Sequence, residues 1–320
     1  MKKKLILVGV ALLVALIAAG WFFHGPLLAW HYVGQLESSP NETTLDHIAS
    51  IGEDAVPPLM KLFQKDDQVC GHAAQAFLRV MDRWSQDDPR AARAARRLAD
   101  SAEQFSSPGK VAALDVADSL LARGGECKES ALKLVKIGLK DNQVSSQVKA
   151  IILALKPEFG LAAEVVPLLK DSKPEVRRTA MLGIGPLRDI VPDDDILPSL
   201  HDPDGEVRAL CETALKSRGL REKDVLLGRL ITDPSPLKRM EVIRFLPNDS
   251  QLDPQAWLNR LCQDPSPIVR ASAARVVMDP STNLDAGLAQ QVRRMAQVDP
   301  DGTVRQIAEY LVRRQASARH

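Results

Sequence analysis

Aromatic residues are scarce in this sequence. Phe, Trp and Tyr make up 4% of its 320 residues, although 45% of the residues are hydrophobic. A core built mainly from Ala, Leu and Val is typical of closely packed helices rather than sheets. The sequence also lacks the alternating polar and apolar runs, bounded by hairpin turns, that indicate strands. Together the two absences predict an all-α protein.

An excess of charge of either sign is lacking as well. The sequence has 42 Lys and Arg residues against 41 Asp and Glu residues, which gives a formal net charge of +1. A surface close to neutrality has no general attraction for the phosphate backbone of nucleic acids. We therefore expect no nucleic-acid partner.

The motifs of common catalytic and cofactor sites are missing too. The sequence has no HExxH, GxSxG, P-loop or GxGxxG pattern, and none of its six histidines pairs with a neighbouring carboxylate at metal-ligand spacing. Cys70 and His72 are close in sequence, but side chains two residues apart on a helix point in different directions. The sequence thus predicts no catalytic residues, no metal, no cofactor and no small-molecule substrate, and we expect a protein that is not an enzyme.

The cysteines form no CxxC pair and no metal-ligand spacing. They lie far apart, at Cys70, Cys127, Cys211 and Cys262. Each falls within a predicted helix or at its start, where Cys serves as a small apolar filler. A disulfide stays open as an alternative in an oxidising compartment, although the sequence does not indicate which pair would form it.

A phrase that recurs in the second half of the chain is the most informative feature that is present. Each copy opens with Asp and closes six residues later with Arg, which Val precedes in all copies but one. The copies begin at Asp171, Asp202, Asp233, Asp264 and Asp299, so that they are 31, 31, 31 and 35 residues apart. A fixed period of this length indicates stacked helical repeats.

Each copy of the phrase predicts a turn that opens the second helix of a repeat. Asp followed by Pro or Gly favours a tight turn, and Pro or Glu in the next positions favours the start of a helix. Shorter apolar helices are predicted upstream, for example over 165–169 and 225–230. Downstream, apolar residues recur at helical spacing, as at Val176, Ala180 and Ile184. One helix pair cannot bury its apolar faces alone, so neighbouring pairs must stack.

The phrase resembles the repeat of the HEAT family, in particular the short bacterial form found in phycobilisome-lyase-type HEAT repeats. The likeness lies in the Asp-x4-Val-Arg pattern and in the segment 52–59, Gly-Glu-Asp-Ala-Val-Pro-Pro-Leu, which looks like the family's first-helix opening. It is clear over 161–316 and degenerate over 41–160, and one copy departs from it with Lys238 in place of Val. The resemblance implies an α-α superhelix, or solenoid, whose concave surface binds another protein.

The aspartates and arginines of the phrase form a series in equal register, which we call the inter-repeat ladder. Its members are Asp171, Arg177, Asp202, Arg208, Asp233, Arg239, Asp264, Arg270, Asp299 and Arg305. In HEAT repeats such a series commonly ties layers together, and the equal numbers of the two residue types favour internal pairing. The alternative is a row of guanidinium groups that receives phosphate or carboxylate from a ligand.

Two further sets of residues are candidates for binding a partner. Arg90, Arg93 and Arg97 share one face of a helix predicted over 88–104, which would meet an acidic partner or lipid headgroups, or else be a solvated face. The family resemblance implies that second helices line the inner face of the solenoid. The residues expected there lie near Arg178, Glu206, Arg239, Ser272 and Gln306.

The first residues predict a membrane segment. Three lysines precede an uncharged stretch over 5–23, whose 19 residues approach the ~20 that cross a bilayer as a helix. An aromatic belt would follow at the far interface, formed by Trp21, Phe22 and Phe23 and extended by Trp30 and Tyr32. The alternative is a cleaved signal peptide, because residues 18–20 are small. In either case the lysines stay in the cytoplasm and the rest is exported.

These observations divide the chain into a cytoplasmic basic tip (1–4), a transmembrane signal anchor (5–23), a juxtamembrane segment (24–40) and a solenoid (41–316). We expect a single-pass inner-membrane protein with a periplasmic or otherwise extracytoplasmic solenoid, which acts as a scaffold or assembly factor for a protein partner. Two other interpretations stay open. One is a HEAT-like enzyme, similar to phycobilisome lyases or DNA glycosylases, and the other is a structural spacer.

Overall fold

The computed structural model describes residues 25–37, 41–246, 253–279, 284 and 286–317. Every regular element in these ranges is helical and none is a strand, which confirms the all-α prediction for this part of the chain. The chain divides into two compact units, residues 1–184 and 185–320, where the sequence predicted one continuous array. The units are described separately.

Unit 1 contains nine described helices. Residues 25–37 form α1, and the others are α2 (Glu42–Ile51), α3 (Val56–Leu62), α4 (Asp67–Asp82), α5 (Pro89–Ser101), α6 (Ser107–Arg123), α7 (Gly125–Leu139), α8 (Val144–Ala154) and α9 (Pro174–Ile184). Short 3-10 segments cover Gly52–Ala55, Ala102–Gln104 and Ala162–Lys170. The last of these takes the place of the apolar α-helix predicted over 165–169, and Pro167 lies inside it.

The described elements of unit 2 are also α-helices and a short 3-10 segment. Its helices are α10 (Asp193–Ile196), α11 (Gly205–Ser217), α12 (Glu222–Ile231), α13 (Pro236–Phe245), α14 (Pro254–Leu261), α15 (Pro267–Val277), α16 (Ala286–Val298) and α17 (Gly302–Ser317), and a 3-10 segment covers Leu197–His201.

Side-chain caps explain where many of these helices begin. The Asn41 carboxamide oxygen accepts the backbone N–H of Thr44 at 2.7 Å, and the Ser106 hydroxyl accepts that of Gly109 at 3.1 Å. In unit 2 the Asp204 carboxylate accepts two N–H groups at the start of α11. Such caps satisfy amides that have no partner inside the helix, so polar residues at these positions fix the helix starts.

Helices pack mainly on their first and second neighbours along the chain. In unit 1, α6 contacts α4, α7 and α8, and α7 also contacts α5. In unit 2, α13 and α17 both contact α15, while α14 contacts α16. Contacts between next-nearest helices are typical of stacked helix pairs, because equivalent helices of successive repeats lie side by side.

Helix α1 belongs to this packing, although the sequence placed residues 24–40 outside the solenoid. Ala29, Val33 and Leu36 are fully or almost fully buried along one face of the helix. The ring of Tyr32 stacks on that of His47 in α2, with centroids 4.6 Å apart. The helical array therefore already includes residues 25–37, and Tyr32 packs within unit 1 rather than extending an aromatic belt.

The valine of the repeated phrase is a core residue. Val176, Val207, Val269 and Val304 are all buried, as the helical spacing predicts. Lys238 occupies the same place in the remaining copy and is exposed, with its ammonium group 3.6 Å from the Asp233 carboxylate. Helix α13 still buries Val242 and the ladder residue Arg239.

No helix in the described ranges has both the length and the apolar character needed to cross a membrane. The predicted basic tip (1–4) and the predicted transmembrane segment (5–23) lie outside those ranges.

Candidate functional site

The first residue of each phrase is an aspartate whose side chain stabilises the turn that follows it. Its carboxylate accepts the backbone N–H two residues later. The distances are 2.9 Å at Asp171, 2.8 Å at Asp202, 2.8 Å at Asp233, 2.7 Å at Asp264 and 2.9 Å at Asp299. These short local bonds are the reason that Asp recurs at this position.

The arginine that closes each phrase holds the same turn from the other side. Its Nη1 donates to the backbone carbonyl of the opening Asp. The distances are 2.8 Å for Arg177, 2.6 Å for Arg208, 2.7 Å for Arg239, 2.8 Å for Arg270 and 2.5 Å for Arg305. In every copy, one guanidinium nitrogen of the arginine therefore binds the turn of the same repeat.

Arg239 and Arg270 also bind the aspartate of the following copy. Arg239 donates from Nε and Nη2 to the two carboxylate oxygens of Asp264, at 2.7 and 2.9 Å. Arg270 binds Asp299 in the same bidentate way, at 2.9 and 2.8 Å. These pairs are buried. All three guanidinium nitrogens of each arginine donate within the protein, so these two positions do not present a free guanidinium to an outside phosphate or carboxylate.

The pairing changes the acid–base behaviour of its members. Burial by itself would raise the pKa of Asp299, but hydrogen bonds from Arg270 and from the backbone N–H of Asp301 outweigh it and hold the pKa below the usual 3.8. The hydrogen bonds that Arg270 donates to Asp299 in turn raise the pKa of Arg270, and those that Arg239 donates to Asp264 raise the pKa of Arg239. Arg270 and Asp299 therefore both stay charged at neutral pH, which keeps this pair intact.

The ladder extends further towards the N-terminus of unit 1 with different residues, which were not predicted. Gln147 donates to the Asp171 carboxylate at 3.0 Å, and Lys110 donates to Asp141 at 2.7 Å. Asp141 lies 30 residues before Asp171 and six before Gln147, so 141–147 is a further copy of the phrase with Gln in place of Arg. The spacing of Asp141 from Asp171 is therefore the sequence signal from which this copy could have been predicted.

The predicted arginine cluster of α5 is largely used within unit 1. Arg90 binds Asp88 and lies over the Trp84 ring, 5.5 Å from its centroid. Its hydrogen bonds lower the pKa of Asp88 to about 2. Arg93 binds Glu53 through two hydrogen bonds, at 2.8 and 2.7 Å. These two residues mainly join helices and turns.

Arg97 differs from its neighbours on α5. It is exposed, and among the described residues it has no ion-pair partner. It lines a groove of 420 Å³ together with Arg93 and Arg96. Of the three arginines of α5 that were predicted to bind a partner, Arg97 is therefore the one whose charge is available.

The candidates on the second helices differ in exposure. Glu206 and Gln306 are exposed, while Arg178 and Ser272 are half-buried. The Ser272 hydroxyl donates to the Ile268 carbonyl at 2.9 Å and lies 3.4 Å from the Met240 sulfur in α13. Ser272 therefore contributes to the contact between α13 and α15.

Large apolar side chains are exposed at equivalent positions of α13 and α15. Leu237 and Ile268 each lie two residues before the ladder arginine of their repeat, and 64% and 51% of their surfaces are accessible. The other copies carry Glu206 and Thr303 at this position in unit 2. Because α13 and α15 pack side by side, the two apolar side chains belong to neighbouring parts of one surface.

A groove of 550 Å³ lies between α15 and α17. Met278, Ile307, Tyr310 and Leu311 supply its apolar lining. Polar side chains complete it, namely Arg275, Asp279, Gln306, Arg314 and Gln315. We call Leu237, Ile268 and this groove the unit 2 surface. Of the residues predicted to bind a partner, only Gln306 belongs to it.

The four cysteines are buried free thiols. Burial raises the pKa of each thiol, to about 12 for Cys211 and for Cys262. Such thiols are poor nucleophiles at neutral pH, because the thiolate is the reactive form. In the described ranges, no group of three or more His, Cys, Asp or Glu side chains is arranged to hold a metal ion.

Stacked helix pairs joined by repeated Asp/Arg contacts define a helical-repeat protein. Residues 224–313 match the family described as HEAT repeats, which supports the HEAT resemblance for α12 to α17. No curated protein matches the chain. The matched segment contains the rungs of Arg239 with Asp264 and of Arg270 with Asp299, and all of the unit 2 surface except Arg314 and Gln315.

Proposed function

We propose that the protein is a non-catalytic scaffold or assembly factor, anchored in the inner membrane, whose HEAT repeats bind another protein on the extracytoplasmic side. The observation that carries the proposal is the exposure of Leu237 and Ile268 at equivalent positions in the segment that matches HEAT repeats. HEAT repeats commonly mediate protein–protein interaction. Exposed apolar side chains are typical of such interfaces.

The chemistry of the unit 2 surface favours a particular kind of partner segment. Its apolar lining fits aliphatic or aromatic side chains, while Arg275 and Arg314 favour carboxylates near them. The negative charge of Asp279 partly offsets these positive charges. The surface therefore selects a partner segment by its shape and apolar contacts as well as by its charge. A protein segment with apolar and acidic side chains meets both requirements.

The membrane part of the proposal rests on the sequence. Residues 5–23 are uncharged and follow three lysines, which favours an inserted helix with its N-terminus in the cytoplasm. The short period of 31 residues supports placing the repeats with the bacterial, phycobilisome-lyase-type form. We use this likeness for the repeat architecture alone and assign no lyase activity.

Capture of the full-length protein from membranes in mild detergent tests the docking surface. We expect the wild-type protein to retain a stoichiometric protein partner and the double variant Leu237→Asp/Ile268→Asp to lose it at least about tenfold, since two charges would enter an apolar contact. Val298→Asp is the matched control, because Val298 is an exposed apolar residue at the end of α16, outside the unit 2 surface. Repeated recovery of the bare wild-type chain, or equal retention by all three proteins, would contradict the proposal.

A topology reporter tests the side of the membrane. Alkaline phosphatase fused after His320 folds to an active enzyme only outside the cytoplasm, where its disulfides form. We expect high phosphatase activity, and low activity when Lys2, Lys3 and Lys4 are moved to follow residue 23. Activity confined to the rearranged protein would place the repeats in the cytoplasm.

A further inference from the structure

Helix α1 has two apolar faces. Ala29, Val33 and Leu36 form the inner face that packs within unit 1. On the outer face Leu27 and Trp30 are 65% and 74% exposed. They are three residues apart, so their side chains are neighbours on the helix surface. In repeat arrays the outward face of an end helix is usually polar, because it meets water. The exposure of Leu27 and Trp30 therefore indicates that this face contacts another molecule.

The outer face of α1 also lacks ionic groups. Between Lys4 and Glu37 the sequence contains no Lys, Arg, Asp or Glu. The exposed residues of α1 before Glu37 include Gly34 and His31, and none of them is Lys, Arg, Asp or Glu. The His31 ring interacts with the Gln35 side chain at 3.1 Å. Such a face transfers into a lipid interface without the cost of burying a charge.

Chain length limits the distance of this face from the proposed anchor. Leu27 follows Phe23 by four residues and Trp30 follows it by seven. At no more than about 3.5 Å per residue, these spacings reach at most about 14 and 25 Å, and about 6 and 10 Å if the path is helical. The polar layer of a bilayer leaflet is about 5 to 8 Å thick. If residue 23 ends the span, Leu27 and Trp30 are within reach of this layer.

We infer that the outer face of α1 rests in the interfacial layer of the lipid bilayer, with Leu27 and Trp30 as the inserted side chains. The inference rests on the proposed anchor and adds to it a second membrane contact, which fixes the orientation of α1. Trp suits this place because its ring is apolar and its N–H hydrogen-bonds to headgroups and water. Tyr32, the other aromatic residue of α1, is excluded from the contact because it stacks on His47.

Quenching of tryptophan fluorescence by brominated lipid tests the inference on the full-length chain. The protein is reconstituted in vesicles of phosphatidylcholine and phosphatidylglycerol, with or without bromine on the acyl chains. The emission of Trp30 is obtained as the difference between wild type and Trp30→Phe. We expect at least about half of this difference to be quenched by the brominated lipid. Trp84→Phe is the matched control, because Trp84 is buried in unit 1 and its emission should be quenched little.

The other outcomes distinguish the inference from the proposal on which it rests. If alkaline carbonate extracts the chain from membranes, the anchor is wrong and the inference is overturned with it. If the chain resists extraction but brominated lipid leaves the Trp30 emission unchanged, only the inference is overturned. A concentration-dependent crosslink between two chains that Trp30→Asp abolishes would then assign the outer face to a second copy.

Discussion

Replacement of Arg270 by alanine is expected to lower the free energy of unfolding by about 3 to 5 kcal/mol, the usual cost of removing one member of a buried ion pair. The Arg270 and Asp299 side chains are only 10% and 4% exposed, so Asp299 would keep a buried carboxylate without its bidentate partner. The same change removes the bond from Arg270 Nη1 to the Asp264 carbonyl, which holds the preceding turn. Denaturant unfolding of the purified full-length protein measures the loss.

Arg313→Ala is the matched control for this change. Arg313 also pairs with a carboxylate, that of Glu309, but the two side chains are 77% and 54% exposed. An exposed pair of this kind contributes less than about 1 kcal/mol, so little change is expected. Equal and small losses for both variants would show that the ladder does not stabilise unit 2.

Replacement of Gly109 by alanine is expected to cost on the order of 3 kcal/mol, at the upper end of overpacking effects. A Cβ atom at this position would lie 1.7 Å from the Phe63 carbonyl oxygen, and no side-chain rotation relieves a clash with backbone. The same carbonyl accepts the Ser106 N–H at 3.1 Å, so the start of α6 cannot move without breaking that bond. The unfolding free energy of the variant measures the effect.

Gly71→Ala is the matched control, because Gly71 also lies in a helix of unit 1 and a Cβ there would meet nothing within 4 Å. Alanine in a helix interior is favoured over glycine by up to about 1 kcal/mol, so this variant should be as stable as the wild type or more stable. A Gly109→Ala protein that unfolds like Gly71→Ala would disprove the close approach of α6 to the end of α3.

Much of the helical architecture could be predicted from the sequence because its signals are local. The Asp and Pro residues of the phrase predict where second helices begin, and the buried valines follow from helical spacing. The two units, in contrast, were not predicted. The phrase recurs at a constant 31 residues across the boundary at residue 184, so its period carries no sign of a division.

The candidate site was harder to predict because its residues depend on contacts between distant segments. Arg93 lies 40 residues from Glu53, and only the folded chain brings the two together. The rungs at Lys110 and Gln147 were not predicted, because these residues keep a hydrogen-bond donor in place of Arg but change the motif. No sequence motif marks the residues that line the groove between α15 and α17, because the groove depends on which helices are neighbours.

The ladder has a consequence for how this protein can change in length. Arg239 and Arg270 hold their own turns alike and bind the next aspartate with the same atoms. Excision of one whole period between them would bring Arg239 opposite Asp299, with no donor or acceptor left over. Duplication of a period would likewise add one matched donor and acceptor. The contacts between successive repeats of unit 2 are therefore interchangeable. The number of its repeats can vary without leaving a charged side chain unpaired.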